Sequence, residues 1–258
     1  MPKLKEGFRG QRAIIIPSFI IDNIKNDPLG RQLYITDIGF YPTASHHYRE
    51  RSSEQASENI LIYCVKGEGW YKIRNQKYIV PQDHCFIIPE HEAHSYGCNE
   101  ENPWSIYWFH FSGEIASFFA NGFDIPTAIN AVNSNSTKGH LELFEEIYCA
   151  LDNGFSNNNI LYATSTLFHF LGLLKYSRLY IDHNNESQQL DVVDLSIKYM
   201  QEKLTQRIKL SDIASEVHLS VSYFSNLFFK KTGWQVMFMP SFLSVISSTA
   251  DNITDEWN

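Results

Sequence analysis

Three small polar residues, Ser222, Ser225 and Asn226, have the types and spacing that sequence-specific hydrogen bonding requires. They stand at i, i+3 and i+4, so they share one face of a helix. An Asn side chain can form a bidentate hydrogen bond with adenine in the major groove, and Ser tolerates several bases. This face therefore predicts a helix that contacts DNA bases.

Two short helices must position that face. Ile213, Ala214 and Val217 recur at helical spacing, and residues 218–219 provide a turn. Ser220 then occupies an N-cap position, from which its hydroxyl can accept a hydrogen bond from a free backbone amide. The pattern predicts a helix-turn-helix, with the second helix beginning after Ser220.

The second helix should run to about Lys231 and end at Gly233 in a left-handed cap. Phe224, Leu227 and Phe228 would pack against the first helix, leaving the polar face outside. Two amphipathic helices with a short turn also occur in ordinary helical bundles, and the pattern alone does not separate the two interpretations.

The run LSDIASEVHLSVSYFSNLFFKKTG, Leu210–Gly233, resembles the first helix-turn-helix of the AraC family of bacterial transcription regulators. The resemblance implies promoter DNA as a partner, with bases read by Ser222, Ser225 and Asn226. It implies phosphate contacts from three further side chains. These are Tyr223, Lys230 and Lys231. The sequence departs from the family at Phe229, where a Lys or Arg is usual.

The family pattern continues with a second helix-turn-helix, which this sequence lacks. After Gln235 the chain reads VMFMPSFLSVISSTADNITDEWN, and Pro240 would interrupt a helix. We expect a truncated or frame-shifted C-terminus that has lost half of the DNA-binding module. A natural but unusual C-terminus is the alternative.

Composition limits the function classes. The 258 residues carry a net charge of −8 and are 43% hydrophobic, which allows two domains with real cores. Residues 190–239 hold six Lys or Arg against five Asp or Glu, hence +1, a weak electrostatic footprint for DNA. The four cysteines lack C-x-x-C spacing, and no long apolar stretch is present. We expect a cytoplasmic protein with no membrane partner.

Short β-rich segments alternate with turn residues between residues 32 and 113, which predicts a sandwich or barrel. The apolar run at residues 13–21 reads as a strand or as an arm lying across that domain. Turns are expected at Gly67–Gly69 and at residues 75–76. The predicted strands are Leu33–Phe40, Ile60–Val65, Gly69–Ile73, Tyr78–Val80, Cys85–Ile88 and Trp104–Phe111.

Three of these stretches, ILIYCVKGEG, YIVPQDHCFIIPEHEAHSYG and PWSIYWFHFSG, resemble the effector-binding cupin domain of sugar-responsive AraC regulators. Gln82 stands where a glycine is typical. The resemblance implies a small effector, in the first instance a sugar, for which an aromatic platform and hydrogen-bonding groups are needed.

By this resemblance Trp108 is the stacking platform and Tyr96 lines the pocket, although Trp108 could equally be a core tryptophan. The sugar-binding Arg corresponds to Arg51, with Arg49 as an alternative because the loop is one residue longer. A lining His of the arabinose-responsive relative falls on Ile106. Other histidines would then supply polar contacts. They are His46, His47 and His94.

A metal-dependent cupin enzyme is a rival interpretation, since His46, His47, His91, His94 and Glu50 are metal-ligand types. The His-x-His signature with a Glu at fixed spacing is absent, and the pair His91 and His94 resembles a loop near Pro89. We therefore expect no metal, no cofactor and no enzymatic activity.

Helical periodicity follows in residues 126–183, and its second helix is apolar almost all round. This helix has more apolar surface than packing onto one small barrel requires, and together with the family resemblance this favours a homodimer interface. Burial of the helix between the barrel and a neighbouring helix is the alternative. The fold class is α+β. The predicted segments are a cupin-like domain (1–125), dimerisation helices (126–183), a linker (184–189), a partial helix-turn-helix domain (190–236) and an atypical tail (237–258).

Overall fold

The chain forms two compact units, Met1–Ile181 and Asp182–Asn258. The computed structural model describes residues 3–129, 134–181, 192–203 and 208–236, with the backbone alone at 134–138 and 177–181. The first unit is rich in sheet and the described part of the second is helical. This arrangement confirms the predicted α+β class.

Two antiparallel sheets face each other in the first unit. The described strands are β1 (Arg12–Ile15), β2 (Tyr34–Tyr41), β3 (Tyr48–Arg51), β4 (Asn59–Lys66), β5 (Glu68–Ile73), β6 (Gln76–Pro81), β7 (His84–Ile88), β8 (His94–Cys98), β9 (Ser105–Ser112) and β10 (Thr127–Ala128). The larger sheet has the order β1-β2-β9-β4-β7-β10, and the smaller has β3-β8-β5-β6. Each predicted strand is present.

Strand β9 shows how the layers pack. Phe109 lies on the outer face of the larger sheet, with its ring centroid 5.0 Å from that of Phe144 and 4.9 Å from that of Phe170. Ile106 and Trp108 belong to a second apolar cluster, between the sheets. Because successive side chains of a strand point to opposite faces, one strand supplies both cores. Its sequence is therefore apolar without alternation.

Helices cover the outer face of the larger sheet. They are α1 (Ser18–Ile24), α2 (Ala116–Ala120), α3 (Ser134–Asp152) and α4 (Asn157–Ile181). Leu167, Phe170 and Leu171 of α4 are buried in the same cluster as Phe144 of α3 and Phe109 of the sheet. Burial between α3 and the sheet therefore accounts for much of the apolar surface of α4. No described helix is long and apolar enough to cross a membrane.

The N-terminal apolar run forms two elements rather than one. Its first residues pair with β2 as strand β1, and its last residues form helix α1. Pro17 separates them at the N-cap position, with φ −58° and ψ 142°. A proline suits this position because its missing amide donor is not required at a helix start.

Two further predictions need correction. His94 begins strand β8 instead of lying in a loop, while His91 precedes that strand with φ 62°. The turn at Gly67 joins strands of different sheets, since β4 pairs with β7 and β9, not with β5. Gly67 has φ 75°, and a Cβ there would collide with the Pro103 carbonyl oxygen. This crossing between sheets therefore requires glycine.

The second unit contains α5 (Val192–Glu202), α6 (Leu210–Glu216) and α7 (Val221–Thr232). The Ser220 hydroxyl accepts a hydrogen bond from the Tyr223 amide at 3.3 Å, and Gly233 ends α7 with φ 76°. Both predicted caps are confirmed. Phe224 and Phe228 are fully buried in the core of this unit, as the helical spacing indicated.

The linker predicted at residues 184–189 and the atypical tail at residues 237–258, including Pro240, lie outside the described residues. The expectation of a truncated or frame-shifted C-terminus falls on the same tail.

Candidate functional site

A cavity of about 280 Å³ lies between the two sheets of the first unit. Strand β3 of the smaller sheet contributes Arg49 and Arg51 to its lining, and β9 of the larger sheet contributes Trp108 and His110. Charged and aromatic side chains thus face one another across a small volume. Such a lining suits a compact polar ligand.

Trp108 forms an aromatic wall of the cavity together with Tyr41, whose ring centroid lies 5.3 Å away. The indole packs on Gly39, where any Cβ would collide with it. Trp108 is 8% exposed, so it is a core residue as well as a lining residue. Its Nε1–H is buried without a hydrogen-bond partner among the described residues. A donor in this state is available to a ligand.

His47 presents a second unpartnered donor. Trp104 Nε1–H donates a hydrogen bond to His47 Nδ1 at 3.2 Å. Because Nδ1 accepts, a neutral His47 carries its proton on Nε2, and that nitrogen is buried with no partner in the described structure. Burial, and secondarily the charge of Arg49, lower the pKa of His47 to about 3, so the ring is neutral near pH 7.

Asp37, Glu58 and His110 form the charged floor of the cavity. His110 Nδ1 lies 3.1 Å from Asp37 Oδ2 and 3.2 Å from Glu58 Oε2. Burial alone would lower the pKa of His110, but the hydrogen bonds to both carboxylates raise it overall. Burial likewise opposes ionisation of Asp37, yet the hydrogen bond from His110 leaves the pKa of Asp37 lowered. The two carboxylates therefore favour the protonated form of the imidazole between them.

This cluster is also where a metal ion could bind, since its candidate ligand atoms lie within 4.8 Å of one another. Among the described residues no other group of three His, Cys, Asp or Glu side chains has this geometry. None of the five residues of the metal-cupin interpretation belongs to it. Glu50 instead accepts a hydrogen bond from the Tyr48 hydroxyl at 2.8 Å.

Three of the five predicted effector residues line the cavity, namely Arg51, Tyr96 and Trp108, and Ile106 and the alternative Arg49 also do so.

His46 instead lines a separate surface cavity, with Trp70 and Lys77. His94 is buried behind the lining, and its Nδ1 lies 2.7 Å from the Glu92 carbonyl oxygen. The structure does not bring these two histidines to the cavity.

Sequence reasoning missed the floor residues. Asp37, Glu58 and His110 are far apart along the chain and form no local motif, so only the fold brings them together. One signal was available for His110. It stands two positions after Trp108 on the same strand and therefore shares its face.

A second candidate surface lies on α7. Ser222 and Asn226 are exposed and Ser225 is half-buried, while Tyr223 is 58% exposed. Lys230 and Lys231 are exposed in the last turn of the helix. All six predicted DNA-contacting residues thus have surface positions. Phe229, which is 54% exposed, adds an apolar group beside them.

Comparison with known families matches residues 38–170 to the AraC-like ligand binding domain, more than half of the chain. It also matches residues 200–234 to the bacterial regulatory helix-turn-helix proteins of the AraC family. The chain belongs to the AraC family. These AraC matches cover the sheet unit that holds the cavity and the helical unit that carries α7. They are matches to a family of regulators rather than to a family of enzymes.

Two curated relatives extend the AraC comparison. The MmsAB operon regulatory protein of Pseudomonas aeruginosa is 28% identical over 225 residues, which are 84% of this chain and 69% of that protein. The uncharacterized HTH-type transcriptional regulator YidL of Escherichia coli K12 is 25% identical over 199 residues, which are 74% of this chain and 63% of that protein. This chain therefore spans less than two thirds of YidL.

Among solved structures, the AraC-like transcriptional activator CuxR matches 87% of this chain and 79% of its own, with 10% identity and a TM-score of 0.38.

The shared proton of His110 gives a stability test. His110→Gln should destabilise the first unit by about 1–3 kcal/mol, because a charged hydrogen-bonding partner of two half-buried carboxylates is lost. A raised pKa in the folded state stabilises the fold below pH 6.5, and this contribution disappears as pH rises through the folded pKa. The difference from wild type should therefore be largest near pH 5–6 and shrink at alkaline pH.

Urea unfolding across that pH range measures the difference, with His91→Asn as the control because His91 is exposed outside the cavity, in a turn whose positive φ asparagine also adopts. A deficit that is independent of pH would contradict the protonated state of His110.

Proposed function

We propose that this protein is an effector-responsive transcription regulator that binds a small hydroxylated ligand, of the sugar class, in the cavity of its sheet unit. It would bind promoter DNA through α7. The observation that carries this proposal is the polar cavity lined by Trp108, Tyr96 and Arg51, in a chain whose other unit is an AraC-family helix-turn-helix.

The chemistry of the cavity supports a hydroxylated ligand. A sugar offers hydroxyls at its edges and an apolar C–H face, which an aromatic ring can cover. Trp108 supplies the ring, and the unpartnered donors Trp108 Nε1–H and His47 Nε2–H can reach hydroxyl oxygens. Asp37 and Glu58 provide acceptors for hydroxyl protons.

The exposed face of α7 supports DNA binding. Ser222 and Asn226 are available to base edges, and the N-terminus of such a helix is the end that usually enters the major groove. Lys230, Lys231 and Tyr223 would contact phosphates and fix the register. A regulator of promoter DNA works beside the chromosome, so we place the protein in the bacterial cytoplasm.

Regulation would require the ligand to bind one arrangement of the protein more tightly than another, since only differential affinity shifts a population. The second candidate function is an effector-binding and dimerisation protein whose DNA reader is defective. The exposed Phe229, at a position where the family usually has a cation, favours this alternative. We propose no catalytic role.

Dimerisation would use the outer face of α4. Tyr162 and Tyr176 are 54% and 39% exposed, and His169 between them is also exposed. These residues are spaced seven apart, as in helices that pair along a stripe. The stripe lies beside α3, since the Tyr162 hydroxyl donates a hydrogen bond to Glu146 at 3.2 Å.

Trp108→Leu tests the ligand site. Leucine keeps part of the buried volume, whereas alanine would leave a cavity costing about 3–5 kcal/mol and so confound binding with unfolding. We expect affinity for the small-molecule ligand of the cavity to fall at least tenfold, because the aromatic platform is lost. Isothermal titration calorimetry measures it, with Trp234→Leu, an exposed tryptophan of the other unit, as the control. Equal affinity in the two variants would contradict the proposed platform.

Asn226→Ala tests the DNA surface. Losing a bidentate contact with adenine should cost about 1–3 kcal/mol in operator affinity and relax base preference at one position. Gel shifts with the DNA upstream of the gene measure this, with Asn158→Ala as the control because Asn158 is exposed on α4. If the wild-type chain shifts no DNA at low salt, the alternative of a defective reader is supported instead.

The double variant Tyr162→Glu/Tyr176→Glu tests the dimer. Charges on the α4 stripe should repel each other across a symmetric interface, so sedimentation equilibrium should show monomers where the wild type shows dimers. Phe19→Glu is the control, since Phe19 is 66% exposed on α1. A wild-type monomer, or dimers that tolerate the double variant, would contradict this interface.

A further inference from the structure

Two arginine side chains enter the cavity from one strand. Along β3, Tyr48 and Glu50 are hydrogen-bonded to each other at 2.8 Å on the face away from the cavity. Arg49 and Arg51 alternate with them and line the cavity. Because side chains two apart on a strand share a face, the two guanidinium groups stand side by side on the wall formed by the smaller sheet.

These guanidinium groups have no carboxylate at ion-pair distance among the described residues, although other arginines do. Arg12 pairs with Glu145 at 2.5 Å, and Arg74 pairs with Glu92 at 2.7 Å. Arg51 Nη1 is buried without any hydrogen-bond partner in the described structure. A buried charged donor in this state is costly, so it points to a partner that arrives from outside the chain.

Three carboxylates line the cavity, those of Glu6, Asp37 and Glu58, and in the described structure none of them is at ion-pair distance from Arg49 or Arg51. Asp37 and Glu58 lie on the wall formed by the larger sheet, and both are held by His110 Nδ1 at 3.1 and 3.2 Å. Both arginines interact with phenols of the lining, Arg49 with the Tyr41 hydroxyl and Arg51 with the Tyr96 hydroxyl. A phenol is neutral near pH 7, so these contacts leave both guanidinium groups without an ion-pair partner. Arg51 attracts Asp37 only across the cavity, where its charge helps to lower the pKa of Asp37.

We infer that the effector carries a single carboxylate, which binds Arg49 and Arg51, while its hydroxyls face Trp108 and His47. Guanidinium groups bind carboxylates in a bidentate manner, and this geometry adds both strength and orientation. The ligand class is therefore a small hydroxylated monocarboxylic acid, such as a sugar acid, rather than a neutral sugar. This inference rests on the proposed function and specifies the ligand of the same site.

The wall formed by the larger sheet limits the ligand to one carboxylate. Asp37 is held ionised by His110, and Glu58 accepts from the same imidazole. A second ligand carboxylate placed there would meet like charge in a partly desolvated site, which is unfavourable. Ligand hydroxyls at the same place can donate to these carboxylates. The two walls together therefore favour a ligand with a carboxylate at one end and hydroxyls at the other.

Calorimetric titration of the full chain with matched ligands tests the inference. The pairs are D-galactose with D-galacturonate, D-glucose with D-glucuronate, and glycerol with D-glycerate, which differ in one carboxylate. We expect at least one acid to bind tenfold or more tighter than its neutral partner. The dicarboxylate D-galactarate should bind more weakly than D-galacturonate.

Arginine variants locate the carboxylate. Arg51→Gln and Arg49→Gln should each remove most of the preference for the acid, while Arg51→Lys should retain part of it because the charge remains. Arg74→Gln is the matched control, since Arg74 is paired on the surface outside the cavity. Circular dichroism of every variant verifies that the fold is retained.

Each other outcome overturns the inference. If a neutral sugar binds as tightly as its acid, the ligand needs no carboxylate, and the proposed function is unaffected. Acid binding that is unchanged in both glutamine variants places the anion elsewhere. If D-galactose 1-phosphate binds and D-galacturonate does not, the anionic group of the ligand is a phosphate and not a carboxylate. If neither acids nor neutral sugars bind, this inference and the sugar-class ligand of the proposed function fail together.

Discussion

The alternation of side chains along β9 is the constraint on which the rest of the first unit depends. Its odd-numbered residues pack outward against the helices, with Phe109 close to Phe144 and Phe170. Its even-numbered residues Trp108 and His110 point inward to the cavity. A shift of one residue in register would exchange the two sets, placing the polar imidazole in an apolar layer. Packing of the helices and chemistry of the cavity are therefore fixed by one strand.

The inward face is unusual because polar groups occupy what would otherwise be a barrel core. Three arrangements make this tolerable. His110 is shared by two carboxylates, His47 is kept neutral and held by Trp104, and the guanidinium groups lie beside phenol rings. Several donors still lack partners, which costs stability in the unliganded protein. A site built in this way gains most from a ligand that satisfies those donors.

The sequence predicted much of this fold because its local signals agreed with the tertiary structure. The caps at Ser220 and Gly233, the apolar spacing of Phe224 and Phe228, and the strand positions are all local properties that need no long-range information. Strands β3 and β8 were missed because YRER and HSYGC are short and partly polar.

The ligand site was less accessible to prediction. Trp108, Tyr96 and Arg51 were identified through family resemblance, since a tryptophan in an apolar strand does not reveal which face it occupies. The cluster of Asp37, Glu58 and His110 depends on the register of β2, β9 and β4, which spans residues far apart in sequence. His46 was assigned by residue type alone, and its turn conformation, with φ 60°, places it at another cavity.

The most direct measurement of the central claim, that the barrel cavity is the sensor, is the indole N–H spectrum of the five tryptophans during titration with the tightest ligand of the matched series. Trp108 lines the cavity and its Nε1–H has no partner among the described residues, whereas the Nε1–H of Trp104 already donates to His47. We expect the Trp108 resonance to shift strongly, while those of Trp70 and Trp234 stay in place. Shifts confined to Trp70 or Trp234, with Trp108 unchanged, would contradict it.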